Sequence, residues 1–364
     1  MKKRIAAGLA CLLLLAGCTK TPGEVETSAP SETPPATTES TAGPETQPAT
    51  EPATEPDFSK QNPLTGEPMA EPYDGSRPYA VMINNIQVAM PQCGTSKADI
   101  IYEVLAEGGI TRMMAIFSQL EGDTPIGSIR SLRPYYLSIA RSYDAIMVHA
   151  GGSEGAYSDL STSGWDHIDG VQGSNSGSYY YRVPERINSA GYEHSLFINM
   201  DDAVSYAEEM GCQFQHTDDQ NYLSFTDQPL TGGTPAESVT VHFRTGGKTT
   251  SFTYDAAAKL YSGAQYGSDW TDGNDGTPLT FRNILVLFAE TKTIDDYGRL
   301  AVTLTGEGEG YLIRDGACVP MTWNREGEND PFTYTLSDGS AVQLATGKTY
   351  VAIVPPESAL DLEP

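Results

Sequence analysis

The stretch from Thr19 to Asp57 most limits what this chain can fold into. It is built largely of Thr, Pro, Glu, Ser and Ala, and it repeats Ala49-Thr50-Glu51-Pro52 as Ala53-Thr54-Glu55-Pro56. With almost no large apolar side chains and many like charges, it cannot bury enough surface to offset the entropy of ordering. Prolines and mutual repulsion extend such a segment, so residues 19–57 read as a disordered acidic tether, reaching roughly several tens of Å. Any core must come from Phe58 onward.

What precedes the tether reads as an export signal. Met1-Lys2-Lys3-Arg4 is positive, and Ile5 to Leu15 is an apolar run too short to span a bilayer. It ends in Leu15-Ala16-Gly17-Cys18, which looks like a bacterial lipobox. There the small residues admit a signal peptidase and the Cys18 thiol accepts a diacylglyceryl group. Residues 1–18 are thus expected to be a lipoprotein signal peptide, with Cys18 as lipidation site and mature N-terminus. Membrane lipid is then a partner, and the body lies on the extracytoplasmic face of a bacterial cell membrane. An ordinary signal peptide with an incidental cysteine is the opposing reading.

Charge narrows the partners. The chain carries 22 basic and 48 acidic residues, a net of −26, and three of the basic ones stand in the first four positions. Counterion release onto nucleic acid needs basic patches, so nucleic-acid binding is excluded as an expectation. Cys93, Cys212 and Cys318 remain beyond the leader, with no CxxC spacing, and read as buried small hydrophobes.

With 364 residues, two folded domains are expected after the tails are removed. The fold class expected is α+β: an N-terminal α/β domain with a mixed sheet over 58–215, a boundary at 216–235, and a β-rich antiparallel C-terminal domain over 236–364. In the first part, Tyr79 to Ile83 is a buried-type strand that Asn84-Asn85 ends. Ser96 with Asp99 suggests a capped helical turn. Ile100–Phe117 is ambiguous between helix–strand and a hairpin, and its β-branched content around Gly108-Gly109 favours the hairpin. In that pairing Glu103 or Glu107 approaches Arg112. Pro134 opens a helix through Ser142. Asp144 to His149 is a strand, and Gly151-Gly152-Ser153 turns into a helix through Ala156, Tyr157 and Leu160. Gly170 to Ser178 reads as a mobile loop, and Asp201 or Asp202 starts a helix that Gly211 stops. Beyond it, apolar alternation in 239–243, 250–254, 281–288, 300–305, 310–313 and 350–354, separated in places by Gly246-Gly247, Asp315-Gly316 and Asp338-Gly339, describes antiparallel strands.

Several of these segments resemble a family. NPLTG at 62–66, RPYAVMINN at 77–85, YEVLAEGGITR at 102–112, IGSIRSLRPY at 126–135 and HAGGS at 149–153 are similar to YerB-type lipoproteins. So are Asn283-Ile284-Leu285-Val286, Asp296-x-Gly298-Arg299 and the segment from Gly310 to Trp323. The resemblance spans the chain after the tether. It implies an exported two-domain protein of a family whose function is unknown, and it carries over no catalytic residue. Cys93 stands where serine is commoner in that family, which argues against an essential thiol.

Candidate chemistry concentrates between Ile126 and Ser153. In an α/β sheet, ligands sit where parallel strands end. Asn84 and Asn85 end one strand, while His149, Gly151, Gly152 and Ser153 follow another. Arg130 and Arg133 stand before a helix start and suit bidentate capture of a carboxylate or phosphate, or else neutralise carboxylates within the fold. These eight residues form the candidate ligand site, expected to be anion-selective. The partner would be an envelope polymer, an anionic small molecule or a protein. A hydrolase or transferase using His149, Ser153 and a carboxylate (Glu103 or Glu107) is the alternative, though no G-x-S-x-G elbow is present. A β-rich partner platform in the C-terminal part is a third reading. No cofactor is expected. Asp269, Asp272 and Asp275 lie in an acidic loop whose spacing fails the calcium-loop pattern, so no metal is expected either, and a hairpin tip is the preferred reading.

Overall fold

The computed structural model describes residues 60–217 and 223–364. The leader, Cys18 and the tether lie outside these residues.

The strand that opens the sheet, β1 (Tyr79–Asn85), is buried at every position. A run without polar alternation belongs in the middle of a sheet covered on both faces. It pairs antiparallel with β3 (Thr111–Phe117), which pairs with β2 (Ile100–Leu105), so the hairpin around Gly108-Gly109 forms as expected. Both glycines take positive φ in that turn. On its other side β1 is parallel to Ile146–His149, which is parallel to His167–Asp169. Helix α1 (Pro134–Arg141) precedes the first of these strands, and α2 (Glu154–Ser163) connects the two, the α/β alternation read from the sequence.

The sheet continues into the C-terminal part. Strand Thr349–Val354 runs parallel to β2 on one side and to Asn283–Phe288 on the other. Antiparallel strands Gly306–Arg314 and Ala317–Arg325 follow, joined by a tight turn in which Asp315 and Gly316 both have positive φ. The result is an eleven-stranded mixed sheet. A second, six-stranded antiparallel sheet is built on Ser238–His242, Thr249–Asp255 and Leu260–Gln265.

Strand parity sorts the core into two layers. Val81, Ile83, Ile101, Ala115, Phe117 and Val148 face one way, against the six-stranded sheet (Val241, Phe252, Tyr261, Trp270) and helix α4, here Met200–Glu209, numbered after α3 at Pro184–Ser189. Ala80, Met82, Tyr102, Met114, Ile116 and Met147 face the other way, against α1 and α2 through Leu137, Ile139 and Leu160.

Some local expectations change. Asn199 rather than an aspartate precedes α4, with Asp201 and Asp202 in its first turn, where they suit the helix dipole. Ser96 does not cap a helix. It sits inside a single 3-10 turn, Thr95–Lys97, and Asp99 instead accepts hydrogen bonds from Ser118 N and Asn62. Leu260–Gln265 and Ala317–Arg325 are strands that the sequence pattern did not reveal, because polar side chains and Pro320 interrupt their apolar alternation.

Between the two sheets lies one charged cluster. Glu103, at 0% exposure, accepts from Asn85, Thr111, Thr250 and Tyr350, and its Oε1 stands 3.1 Å from Lys248 Nζ. Burial depresses the Lys248 pKa, while the Glu103 charge pulls it back up. Replacing Lys248 by Met leaves a buried carboxylate without its counter-charge. Such a loss costs about 3 kcal/mol or more. Urea unfolding of Lys248→Met should show it, and an unchanged midpoint would rule out a charged pair here.

Candidate functional site

Residues 128–133 run as an irregular strap across the ends of two parallel strands. Arg130 N donates to Met82 O, Ala150 N to Arg130 O, Leu132 N to Gly151 O, and Ser153 N to Leu132 O. The strap thereby sets where Arg130 and Arg133 emerge, one before the other on either side of Ser131 and Leu132.

Three arginines gather there. Arg112 leaves β3 on the α1 face of the sheet, 4% exposed, and donates to Ser131 O at 2.9 Å and to Glu107 at 3.4 Å. Arg133, 6% exposed, is paired with the same Glu107 oxygen. Arg130 donates to the main chain and carboxylate of Glu193, itself largely exposed. The Nε atoms of all three have no hydrogen-bond partner. Burial lowers the Arg112 pKa, and the neighbouring charges of Arg133 and Arg130 lower it further, while Glu107 opposes them. Burial alone would raise Glu107, but its bond from Arg133 and the charge of Arg112 outweigh that and hold it below the ordinary range. One partly buried carboxylate thus serves two buried guanidiniums, with a third close by.

Arg133 also lines a cleft of about 360 Å³. Ser153, Glu154 and Gly155 at the start of α2 line it too, as do Ile294, Arg299 and Leu300 from the hairpin that joins Thr291–Thr293 to Leu300–Val302. Ser153 caps α2 by accepting from Ala156 N. The backbone N–H groups of Glu154 and Gly155, in the first turn, have no intrahelical acceptor. Arg299 is paired with Asp295 at 2.8 Å, and its Nε has no partner.

The remaining sequence-derived candidates are distributed differently. Asn84 and Asn85 are adjacent on β1 and therefore point to opposite faces. Asn84 contacts His194 Nδ1 and Ser128 Oγ, whereas Asn85 joins Glu103 and Thr111 between the sheets. Glu103 is likewise on the face away from α1, which is why Glu107 and not Glu103 meets Arg112. His149 is fully buried. Its Nδ1 contacts Gly151 O at 2.9 Å and its Nε2 contacts His167 Nδ1 at 3.0 Å. Asp169 accepts from Gly151 N, Val171 N and Tyr157 OH, which holds the glycine turn. Gly152 pairs with Leu132 in a bridge. The hydrogen bonds of the Ser153 hydroxyl and the His149 ring thus go to other groups, and no bond joins the two.

Asp272 is buried and accepts from Gly94 N, Ser96 N and Asn274 N, clasping its loop to the 93–97 turn. Asp269 and Asp275 are exposed. Among the described residues no three His, Cys, Asp or Glu side chains form a metal-binding group. Cys93, Cys212 and Cys318 are buried free thiols, and burial is the first cause of a raised pKa for each.

Arg112, Glu154 and Arg299 were not among the ligand-site residues chosen from the sequence. Arg112 was legible only as an ion-pair partner, and Arg299 only within a family likeness. Their convergence depends on sheet parity and on a hairpin far along the chain.

The histidine pair carries a pH consequence. Burial favours the neutral ring, in which Nδ1–H donates to Gly151 O and Nε2 accepts from His167 Nδ1–H. Burial lowers its pKa from 6.5 to about 4, with Asp169 and the Gly151 carbonyl pulling upward. The unfolded chain takes up this proton at the higher pH. The neutral ring therefore supports the fold fully above pH 6.5, and that support declines as pH falls towards 4, by up to about 3 kcal/mol. Urea unfolding at a series of pH values should show a shallower acid loss in His149→Gln than in the parent. Identical slopes would exclude His149 as the source.

Comparison with known proteins places this geometry in context. Residues 64–213 match the model described as "Protein of unknown function (DUF3048) N-terminal domain", and residues 239–351 match its C-terminal domain. A Bacillus subtilis (strain 168) protein described as "Putative lipoprotein YerB" is 32% identical over 296 residues, covering 80% of this chain and 86% of the relative. A crystal structure of YerB protein from Bacillus subtilis superposes with a TM-score of 0.71 at 29% identity, covering 83% of this chain and 99% of that one. The chain belongs to the DUF3048 family of YerB-like proteins, whose function is unknown.

Proposed function

We propose that this protein is a lipid-anchored, extracytoplasmic binding protein that captures an anionic group at the Arg112–Arg130–Arg133 cluster. The observation that carries the reading is the charge imbalance there. Two buried arginines, Arg112 and Arg133, share the Glu107 carboxylate, Arg130 beside them pairs with the exposed Glu193, and each of the three keeps an unpartnered Nε, on a body that is otherwise strongly acidic. Guanidinium groups without enough internal acceptors gain most from a carboxylate or phosphate oxygen supplied from outside. Surface ion pairs alone would not require such a gathering. Arg133 connects the cluster to the cleft, where the first turn of α2 adds unpaired N–H groups that favour negative charge.

Anchoring is supported by the leader, with its lipobox-like Leu15-Ala16-Gly17-Cys18, and by the description of the Bacillus subtilis relative as a lipoprotein. No helix among the described residues is long and apolar enough to cross a membrane. A Cys18→Ser chain should leave the membrane fraction on detergent-free fractionation. Retention in membranes would refute lipid anchoring through Cys18.

Binding is tested with inorganic phosphate and acetate, titrated calorimetrically into the full-length chain in detergent micelles. Arg133→Ala should weaken phosphate binding about tenfold, the scale of one charge-assisted hydrogen bond. Arg130→Ala should weaken it several-fold with an unchanged melting temperature, because an exposed pair such as that with Glu193 contributes about 1 kcal/mol or less. Lower melting temperatures with phosphate binding intact, or no phosphate binding by the parent chain, would make the cluster structural only.

A further inference from the structure

The cleft that Arg133 lines is dipolar, and this property identifies a ligand class. Arg133 brings the arginine cluster to it, with the uncapped first-turn N–H groups of α2 alongside. Glu154 lines the same cleft, is exposed, and its carboxylate makes no hydrogen bond or ion pair to any described residue, unlike that of Asp295, which is spent on Arg299. A simple anion entering the cleft satisfies the arginines but meets the Glu154 carboxylate as a like charge. A simple cation meets the reverse. A ligand with a carboxylate and an ammonium a few Å apart satisfies both ends at once.

The walls add a third element. Ile294 is 61% exposed and lines the cleft together with Leu300 and Pro134, giving an apolar surface between charged groups. The volume of about 360 Å³ is at the small end of ligand pockets. It suits a molecule of one to three amino-acid residues rather than a folded partner.

We infer that the cleft binds a short zwitterionic peptide or amino acid. Its carboxylate faces Arg133 and the α2 N-terminus, its ammonium faces Glu154, and an apolar side chain rests on Ile294 and Leu300. This inference rests on the anion-binding reading above and specifies its ligand. It also accounts for a binding site within a chain whose net charge of −26 repels polyanions. The zwitterion brings no net charge to that field.

Three dipeptide probes decide the matter by calorimetry on the full-length chain in detergent: leucylglycine with free ends, its N-acetylated form and its C-amidated form. The free dipeptide should bind about tenfold more tightly than either blocked form. Glu154→Gln, a surface change on α2, should reduce the free dipeptide to the level of the N-acetylated one and leave the latter unchanged. Equal binding of the free and N-acetylated forms would overturn the zwitterion and leave the anion reading standing. Equal binding of the free and C-amidated forms would overturn the peptide inference, and with no phosphate binding by the parent chain it would overturn both. Phosphate binding with no binding of any dipeptide at millimolar concentration would overturn the peptide inference alone.

Discussion

A carboxylate at zero exposure is the constraint around which both sheets are arranged. Glu103 stays in the interior because five groups from four parts of the chain converge on it. An isolated buried charge is too costly to keep, so the converging donors must all arrive in the folded state. Two of them, Thr111 and Asn85, come from β3, which pairs with β2, and from β1 on the far side of β3. Lys248 and Thr250 come from the six-stranded sheet, and Tyr350 comes from the strand inserted next to β2. The same residues therefore set the register of the central sheet and the seating of the second sheet upon it. Trp270, which donates to Gln92 at 3.0 Å, and Asp272 close the seam further along.

The opposite face of β2 and β3 has a different electrostatic character. There the hydrogen-bonding account does not close: Glu107 is shared by Arg112 and Arg133, and guanidinium Nε atoms remain unmatched. A fold that satisfies Glu103 with such completeness on one face leaves an excess of positive charge on the other. The contrast separates a group serving stability from a group suited to binding, because satisfied buried networks rigidify while unsatisfied ones attract a partner. His149, at the end of the strand beside the strap, belongs to the first kind. Its bonds to Gly151 and His167 hold the turn that carries Ser153 to the mouth of the cleft.

Much of the local structure was legible from the residues. The hairpin followed from two β-rich runs around Gly108-Gly109, and α1 from Pro134 preceding an apolar helical face. The second helix followed from Ser153 after a glycine pair. Each depends on neighbours a few positions apart, where turn chemistry and periodicity act directly. Ser96 and Asp99 show the limit of that reasoning. Their spacing fits a cap, yet tertiary bonds from Ser118 and Asn62 claim the Asp99 carboxylate. The site was legible only in part: Arg133 and Ser153 do share the cleft, while Asn85 and His149 answer to other groups.

Local pattern and composition were enough for β1, the β2–β3 hairpin, α1, α2 and α4 in the N-terminal part, and for the antiparallel texture of the C-terminal part, but not for α3 or the short strands Pro125–Gly127, His167–Asp169 and Tyr180–Arg182. Chain packing fixed the place of Thr349–Val354 between β2 and Asn283–Phe288, the meeting of Arg112 with Glu107 rather than Glu103, and the position of Arg299 across a cleft from α2. Such outcomes depend on sheet order and on which face a residue occupies. A partner hundreds of residues away leaves no periodic trace in the segment it meets, so geometry alone could bring these groups together.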